Sequence, residues 1–228
     1  MRILGIETST PVCGVALVDS EWVVAEYTLD AGVGHAERLL PMVRRILEDA
    51  GLQPSDLDGV AVAAGPGSFT GLRIGMSTAK GLCLASDLPL LAVPTLEGLA
   101  LRMASAGLPV CSMLDARRGE VYAGVYGLDG ERLVSLVADD ALPVEGLLPR
   151  LPRPVRFVGE GAVVYRERIL DALGEEARFV HHGMTSSDVL DTAFAVQLTE
   201  AADILLADMD KVLAALKTRG SSQGAIGS

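Results

Sequence analysis

A glycine-rich segment that directly follows a fully apolar run is the feature of this sequence that most constrains its fold. Residues 59–64 carry no polar side chain, and residues 65–71 read Gly-Pro-Gly-Ser-Phe-Thr-Gly. A short apolar run with this ending predicts a strand that is buried on both faces. A helix is predicted from about residue 72 to 86, and a second buried strand at 90–93. The order strand, helix, strand predicts an α/β fold with a mixed or parallel sheet covered by helices.

The two halves of the chain show a similar pattern. Three short apolar runs in the first thirty residues predict a β-meander, and apolar residues at three- and four-residue spacing predict an amphipathic helix over 34–50, stopped by Gly51. Three further strands are predicted after Pro109. We therefore predict that one fold unit is duplicated, with the junction between residues 100 and 109.

The predicted organisation has four parts. A first lobe covers residues 1–105 and a second, smaller lobe covers 106–180. Apolar residues then recur at helical spacing for more than thirty positions, which predicts a long helix over 181–219. The last residues, 220–228, contain Ile226 as their one large apolar side chain and are predicted to be a mobile tail.

The overall charge limits the partners that this chain can bind alone. Nineteen Lys and Arg stand against 30 Asp and Glu, a formal net charge of -11. Such a surface repels phosphate and predicts poor binding of nucleic acid by the isolated protein. Three widely spaced cysteines indicate a reducing compartment. No apolar run is long enough to cross a membrane, so we expect a cytoplasmic protein.

Two segments allow either a ligand-binding or a structural interpretation. Residues 65–71 could present backbone N–H groups to a phosphate at a helix N-terminus, but they lack the Lys-Ser/Thr ending of a P-loop. The favoured alternative is that residues 65–71 form a tight connection between the strand and the helix, in which glycines allow close approach to a neighbouring part of the backbone. A hydroxyl-rich turn after the first strand could likewise face a phosphate or form a plain hairpin. Together these segments form a candidate vestigial nucleotide loop: Thr8, Ser9, Thr10, Gly65 and Gly67.

No catalytic residue, metal site or cofactor is predicted. His35 stands near the start of the predicted helix, and the position one turn later, where a second metal ligand would be needed, is Leu39. The serines of the first 180 residues have no plausible base for a Ser-His-Asp arrangement. His35 is better interpreted as a helix-start or interface residue.

Four segments, in order, carry a resemblance to a known family. They are Ile3–Thr10, Gly34–Pro41, Gly65–Gly75 and Leu114–Tyr122. Over residues 1 to about 180 the chain resembles the bacterial TsaB (YeaZ) proteins. The resemblance implies an actin-like (ASKHA) fold with two related lobes. It also implies work in making N6-threonylcarbamoyladenosine at position 37 of tRNA.

The resemblance further implies partners and a docking surface. TsaB-like proteins are non-catalytic paralogues of the transferase TsaD and pair with it, and TsaE, an ATPase, joins the pair. tRNA is then reached only through the complex. Pairing through the first-lobe helices, which could also form a homodimer, predicts these interface residues: His35, Leu39, Met42, Val43, Ile46, Phe69, Arg73 and Met76.

The C-terminus and two other functions remain as alternatives. Residues 181–218 resemble a fragment of adenylosuccinate lyase that includes its Thr-Ser-Ser-Asp turn, so the chain looks like a splice of two families. An actin-like ATPase or phosphotransferase is one alternative function, although clear metal-binding acids are missing from the phosphate loops. A self-associating protein that has lost its partner is the other.

Overall fold

The computed structural model describes residues 1–173, apart from 21, 31, 33, 105–107 and 131. The long helix predicted over 181–219 and the tail predicted over 220–228 lie outside the described residues. The division of the chain at 105/106 and 180/181 stays a prediction.

The first lobe contains five strands and three helices among the described residues. They are β1 (Arg2–Glu7), β2 (Val12–Asp19), β3 (Trp22–Asp30), α1 (His35–Asp49), a 3-10 turn (Pro54–Asp56), β4 (Gly59–Gly65), α2 (Phe69–Ser86), β5 (Leu90–Pro94) and α3 (Thr95–Met103). The strand order is β3-β2-β1-β4-β5. β1, β2 and β3 form an antiparallel meander, and β4 lies parallel to both β1 and β5.

The second lobe repeats this plan with shorter helices. Its elements are β6 (Val110–Arg117), β7 (Glu120–Asp129), β8 (Arg132–Pro143), α4 (Val144–Leu147), a 3-10 turn (Leu148–Arg150), β9 (Arg156–Val158), α5 (Glu160–Val164) and α6 (Arg166–Leu173). The strand order is β8-β7-β6-β9, with an antiparallel meander and β9 parallel to β6. In both lobes the first strand of the meander pairs in parallel with a later strand, β4 or β9, and that strand is followed by a glycine and then a helix. This shared topology confirms the predicted pair of related lobes.

Helix α1 packs its apolar face against the first sheet. Leu39, Val43 and Ile46 are at most 2% exposed and belong to one cluster with side chains of β1, β2 and β4. The helix ends where Gly51 adopts a positive φ of 67° and Leu52 N–H donates to the Leu47 carbonyl at 2.9 Å. This is a Schellman-type end, as the glycine predicts.

Several of the predicted interface residues lie on the buried face of α1. His35, Leu39, Val43 and Ile46 are all buried within this chain, and Met42 is half-buried against the same cluster. An apolar stripe at helical spacing shows only that one face avoids water. Here the chain's own sheet covers Leu39, Val43 and Ile46, which therefore offer little surface to a partner. The interface itself stays a prediction.

Helix α2 approaches the sheet through small side chains. Its buried residues, Gly71, Gly75, Ala79 and Cys83, recur at every fourth position. A methyl group added at Gly71 or Gly75 would overlap backbone or side-chain atoms of Thr8. The Thr8 hydroxyl donates to the Gly71 carbonyl at 2.8 Å, which fixes the helix start against the end of β1.

Helix α3, which the sequence did not predict, lies between the two lobes. It contacts β4 and β5 of the first sheet and also β6, β7 and β9 of the second. Leu96, Leu99 and Ala100 are buried in a cluster with second-lobe residues such as Tyr126. No helix in the described part of the chain is long and apolar enough to cross a membrane.

Candidate functional site

A cleft of about 680 Å³ separates the two lobes. The first lobe lines it with the β1–β2 turn and the starts of α1 and α2, and the second lobe with the end of β6 and the start of α5. The glycine-rich segment and the hydroxyl-rich turn predicted from the sequence therefore lie side by side at this cleft. Pockets of this volume hold ligands the size of a metabolite or a drug.

The hydroxyl-rich turn is buried and mostly satisfied by the chain itself. Thr8, Ser9 and Thr10 are at most 2% exposed. The Thr10 hydroxyl accepts from Val12 N–H at 3.2 Å, and the Ser9 carbonyl accepts from Ser68 N–H at 2.6 Å. The Ser9 hydroxyl is buried beside the side chain of Glu7.

The glycine-rich segment closes over this turn. A Cβ atom added at Gly67, whose φ is +152°, would lie 2.7 Å from Ser9 Cβ and would also overlap the Ser9 carbonyl oxygen. Gly65 has a φ of +109°, a conformation that side chains rarely adopt. These glycines are thus explained by close backbone packing, the structural interpretation that the sequence favoured. The nucleotide role of the loop stays a prediction.

His35 fastens the start of α1 to the β1–β2 turn. Its Nε2 lies 3.0 Å from the Thr10 carbonyl oxygen and 3.4 Å from that of Val12, so this nitrogen donates to the backbone. Nothing in the described residues forms a group of three or more side chains that could hold a metal ion. His35 is therefore the helix-start histidine of the sequence analysis rather than an exposed interface residue.

Glu7 is a buried carboxylic acid next to this turn. Ser9 N–H donates to it, but burial dominates and raises its pKa above the ordinary value of 4.5. Burial likewise raises the pKa of the neighbouring Cys13 thiol to about 11. A charged Glu7 is disfavoured in this environment, so its carboxylate destabilises the fold where it is ionised.

The second-lobe wall of the cleft carries two acids and one base. Asp115 accepts from the Tyr165 hydroxyl and from Arg117 N–H, both at 2.9 Å, and lies 3.4 Å from the Arg117 guanidinium. Burial and the neighbouring Asp115 charge raise the pKa of Glu160. The sequence analysis used Leu114–Tyr122 as one of the segments that carry the family resemblance. It missed Glu160, which lies at the cleft because α5 packs against β6.

A second surface follows the outward face of α2. We call it the α2 stripe, and it consists of Phe69, Arg73, Ser77, Lys80 and Leu84, which are all exposed. Phe69 and Leu84 are 73% and 88% exposed, and the Arg73 guanidinium lies 5.3 Å from the Phe69 ring centre. The stripe carries two positive charges and no negative one, in a chain whose net charge is -11.

A groove of about 350 Å³ runs between the α2 stripe and the end of β4. Its walls include Phe69, Arg73 and Met76, the three predicted interface residues that α2 supplies. Phe69 and Arg73 are exposed and Met76 is half-buried, and their role in docking stays a prediction. On α1, the large apolar side chain that faces outward is Leu40, 56% exposed, which the sequence analysis did not select.

Comparisons with known proteins agree on one biosynthetic system. A family model described as "TsaD: tRNA N6-adenosine threonylcarbamoyltransferase" matches residues 29–223. The tRNA threonylcarbamoyladenosine biosynthesis protein TsaB of Bacillus subtilis is 35% identical over 207 residues, 90% of each chain. The protein of the same name from Escherichia coli is 42% identical over 131 residues, 57% of this chain and 56% of its own length.

A solved structure supports the same relationship. The structure of YeaZ from Pseudomonas aeruginosa superimposes with a TM-score of 0.63 at 35% identity, covering 74% of this chain and 79% of that one. The predicted actin-like fold with two related lobes is confirmed. The family match continues to residue 223, through the segment that resembles adenylosuccinate lyase, so the interpretation of the chain as a splice of two families is not supported.

Proposed function

Because the chain belongs to the TsaB (YeaZ) family, we propose that it is a non-catalytic subunit of the machinery that makes N6-threonylcarbamoyladenosine in tRNA. The observation that carries this proposal is the match over 90% of both chains to a protein named for that biosynthesis. In this role the chain pairs with a TsaD-like transferase and activates it.

The non-catalytic role is supported by the residues at the start of α1. Nε2 of His35 is engaged by backbone carbonyl groups, and the position one turn later is the buried Leu39. A second metal ligand therefore has no place on this helix face. The glycine-rich segment packs directly on the hydroxyl-rich turn, which disfavours the alternative of an ATPase that uses these loops to hold phosphates.

We assign the docking surface to the α2 stripe together with Met76 and Leu40. Exposed aromatic and apolar side chains beside a groove are the features that anchor protein interfaces. The positive charge of the stripe favours an acidic face on the partner. A second copy of this chain would oppose Arg73 and Lys80 with the same charges if two stripes met, so a homodimer through this surface is the weaker alternative.

The remaining partners follow from the same proposal. A TsaE-like ATPase joins the pair, and tRNA is bound through the complex, because a chain of net charge -11 repels nucleic acid by itself. The protein acts in the cytoplasm.

Titration against a TsaD-type transferase tests the surface. Phe69→Ala is expected to weaken binding by about tenfold or more, the scale of an interface anchor. Trp22→Ala is the matched control, since Trp22 is 78% exposed on β3, a strand at the opposite edge of the sheet from β5. Equal losses in the two variants would contradict the assignment.

A tRNA modification assay tests the function itself. Transferase with this chain is expected to modify tRNA faster than transferase alone, whereas this chain alone should hydrolyse no ATP. ATP turnover by the purified chain would instead favour the phosphotransferase alternative.

A further inference from the structure

Each of the two sheets has two faces, and helices of the described chain cover three of these four faces. The first sheet packs one face against α1 and α2, and the second sheet packs one face against α4, α5 and α6. The other face of the second sheet is covered by α3, which the first lobe supplies. Leu96 and Leu99 of this helix pack there in one cluster with Val110 of β6.

The fourth face, on the side of the first sheet away from α1 and α2, is buried although no described helix packs its apolar side chains there. We call it the back face, and it consists of Ile3, Ala16, Val18 and Ala61, which are at most 2% exposed. Among the described residues, the apolar side chains packed against it come from strand β5 and from the residue before β1: Leu91, Val93 and Met1.

Neighbouring strands do not bury such side chains by themselves. Side chains stand roughly perpendicular to a sheet, so their neighbours shield the flanks and leave the ends open. Val24, on the edge strand β3 of the same sheet, is 51% exposed, whereas Ile3 on the central strand β1 is 0% exposed. A further layer of chain therefore lies over the back face.

The C-terminal segment has the length and the pattern of such a layer. The other positions outside the described ranges are single residues or, at 105–107, three residues. Within 174–228, apolar residues that recur every three or four positions fall on one side of a helix: Phe194, Leu198, Ala201, Leu205, Met209, Val212 and Leu216. The opposite side of that helix carries Asp203, Ala207 and Asp210. The back face extends from β2 to β5, about 15 Å, so three helical turns are long enough to cross it.

The duplication of the fold places this segment on the back face. In the first lobe, β4 is followed by α2, and residues 87–94, which contain β5, lead from α2 to α3. Helix α3 then crosses to the open face of the second sheet. In the second lobe β9 is followed in the same way by α5 and α6, which ends at Leu173. A helical segment after α6 occupies the same place in this plan as α3, and its target is the open face of the first sheet.

We propose that residues 194–216 pack as a helix on the back face of the first sheet, as the counterpart of α3 on the second sheet. Each lobe then supplies one helix to the other. The C-terminal segment thereby belongs to the core of the lobe that carries the α2 stripe. This inference does not depend on the docking role.

Labelling of a thiol introduced on the back face tests the proposal in the full chain. Val18→Cys replaces a side chain that is 1% exposed, and the native Cys13, buried on the opposite face of the same strand, is the internal reference. Adding Leu205→Asp is expected to raise the labelling rate at position 18 at least about tenfold relative to that of Cys13, because a buried unpaired charge drives the segment off the sheet. Ala207→Asp, the same charge on the polar side of the helix, should change this ratio less than about twofold.

A milder variant keeps the test decisive if the aspartate unfolds the whole chain. Leu205→Ala should raise the same ratio in the same direction, because a partly detached segment exposes position 18 before Cys13. An unchanged ratio in both variants at position 205, or an equal rise in Ala207→Asp, would overturn the proposal. Fast labelling at position 18 without any change in the segment would also overturn it, since the face would then be open. Labelling that accelerates on dilution of the protein would overturn it by assigning the cover to a second copy of the chain.

Discussion

The close approach of α2 to β1 predicts opposite effects for one substitution at two positions of the same helix. In Gly71→Ala the new methyl group would meet the Thr8 carbonyl oxygen far inside the roughly 3.3 Å at which carbon and carbonyl oxygen come to rest. Gly81 on the same helix is exposed and has no atom within 4 Å of an added Cβ.

The expected magnitudes follow from these surroundings. Overpacking of a tight contact costs about 1–3 kcal/mol. Displacing the start of α2 also weakens the Thr8–Gly71 hydrogen bond of 2.8 Å, a further loss of about 1 kcal/mol. Gly71→Ala should therefore lower the free energy of unfolding by about 2–4 kcal/mol. Gly81→Ala should raise it by up to about 1 kcal/mol, since alanine favours a helix over glycine.

Urea unfolding followed by circular dichroism measures both variants against the parent chain. The midpoint should fall for Gly71→Ala and rise for Gly81→Ala at an unchanged slope. A Gly71→Ala variant as stable as the parent would refute the reasoning, because α2 could then move away from β1 without cost. A Gly81→Ala variant that loses several kcal/mol would show that the loss in Gly71→Ala need not come from the contact with Thr8.

Three further predictions concern buried groups. Glu7→Gln should become more stable relative to the parent as pH rises above about 4.5. Burial raises the pKa of Glu7, so above this pH the native parent holds more protons than its unfolded form and loses stability as pH rises, whereas glutamine does not titrate. Parallel pH profiles of the two proteins would contradict this. Native protein at pH 8 should not react with a thiol reagent, since all three cysteines are buried and burial raises the pKa of each thiol, to about 11 at Cys13 and about 12 at Cys111; fast labelling without unfolding would refute it. Leu39→Ala should cost about 2–5 kcal/mol of unfolding free energy and Leu40→Ala less than about 0.5, measured by urea unfolding, and equal losses would reverse the assigned faces of α1.

The strands and the long helices could be predicted because the spacing of their apolar residues matches the faces that are buried in the structure. Residues 59–64 are apolar throughout because β4 lies between β1 and β5 in the middle of a covered sheet. Helix α3 escaped prediction because it is buried between two lobes and therefore lacks a strong polar face. Its position depends on contacts with strands that the chain reaches only later.

The site was less predictable for a related reason. The stripe of Leu39, Val43 and Ile46 has the spacing of a docking surface and of a core face alike, and only the sheet beneath it decides between them. Glu160 gives no local signal, because its meaning comes from Asp115, 45 positions earlier in the sequence. The glycines at 65–71 lack the spacing of a phosphate loop, which favours the close connection that the structure shows at Gly67.

Helix α2 packs directly on the backbone at the end of β1, and this contact also fixes the position of the side chains on the opposite face of the helix. Gly71 and Gly75 lie directly against Thr8, and the Thr8–Gly71 hydrogen bond fixes the start of the helix that carries Phe69, Arg73 and Lys80. In the proposed docking role this part of the main chain is therefore held in place without the partner. Association then loses little further conformational entropy in the main chain, and only the side-chain rotamers remain to be ordered. A small contact area can thereby support a specific complex, and methyl groups inserted under the helix would weaken partner binding without touching the partner.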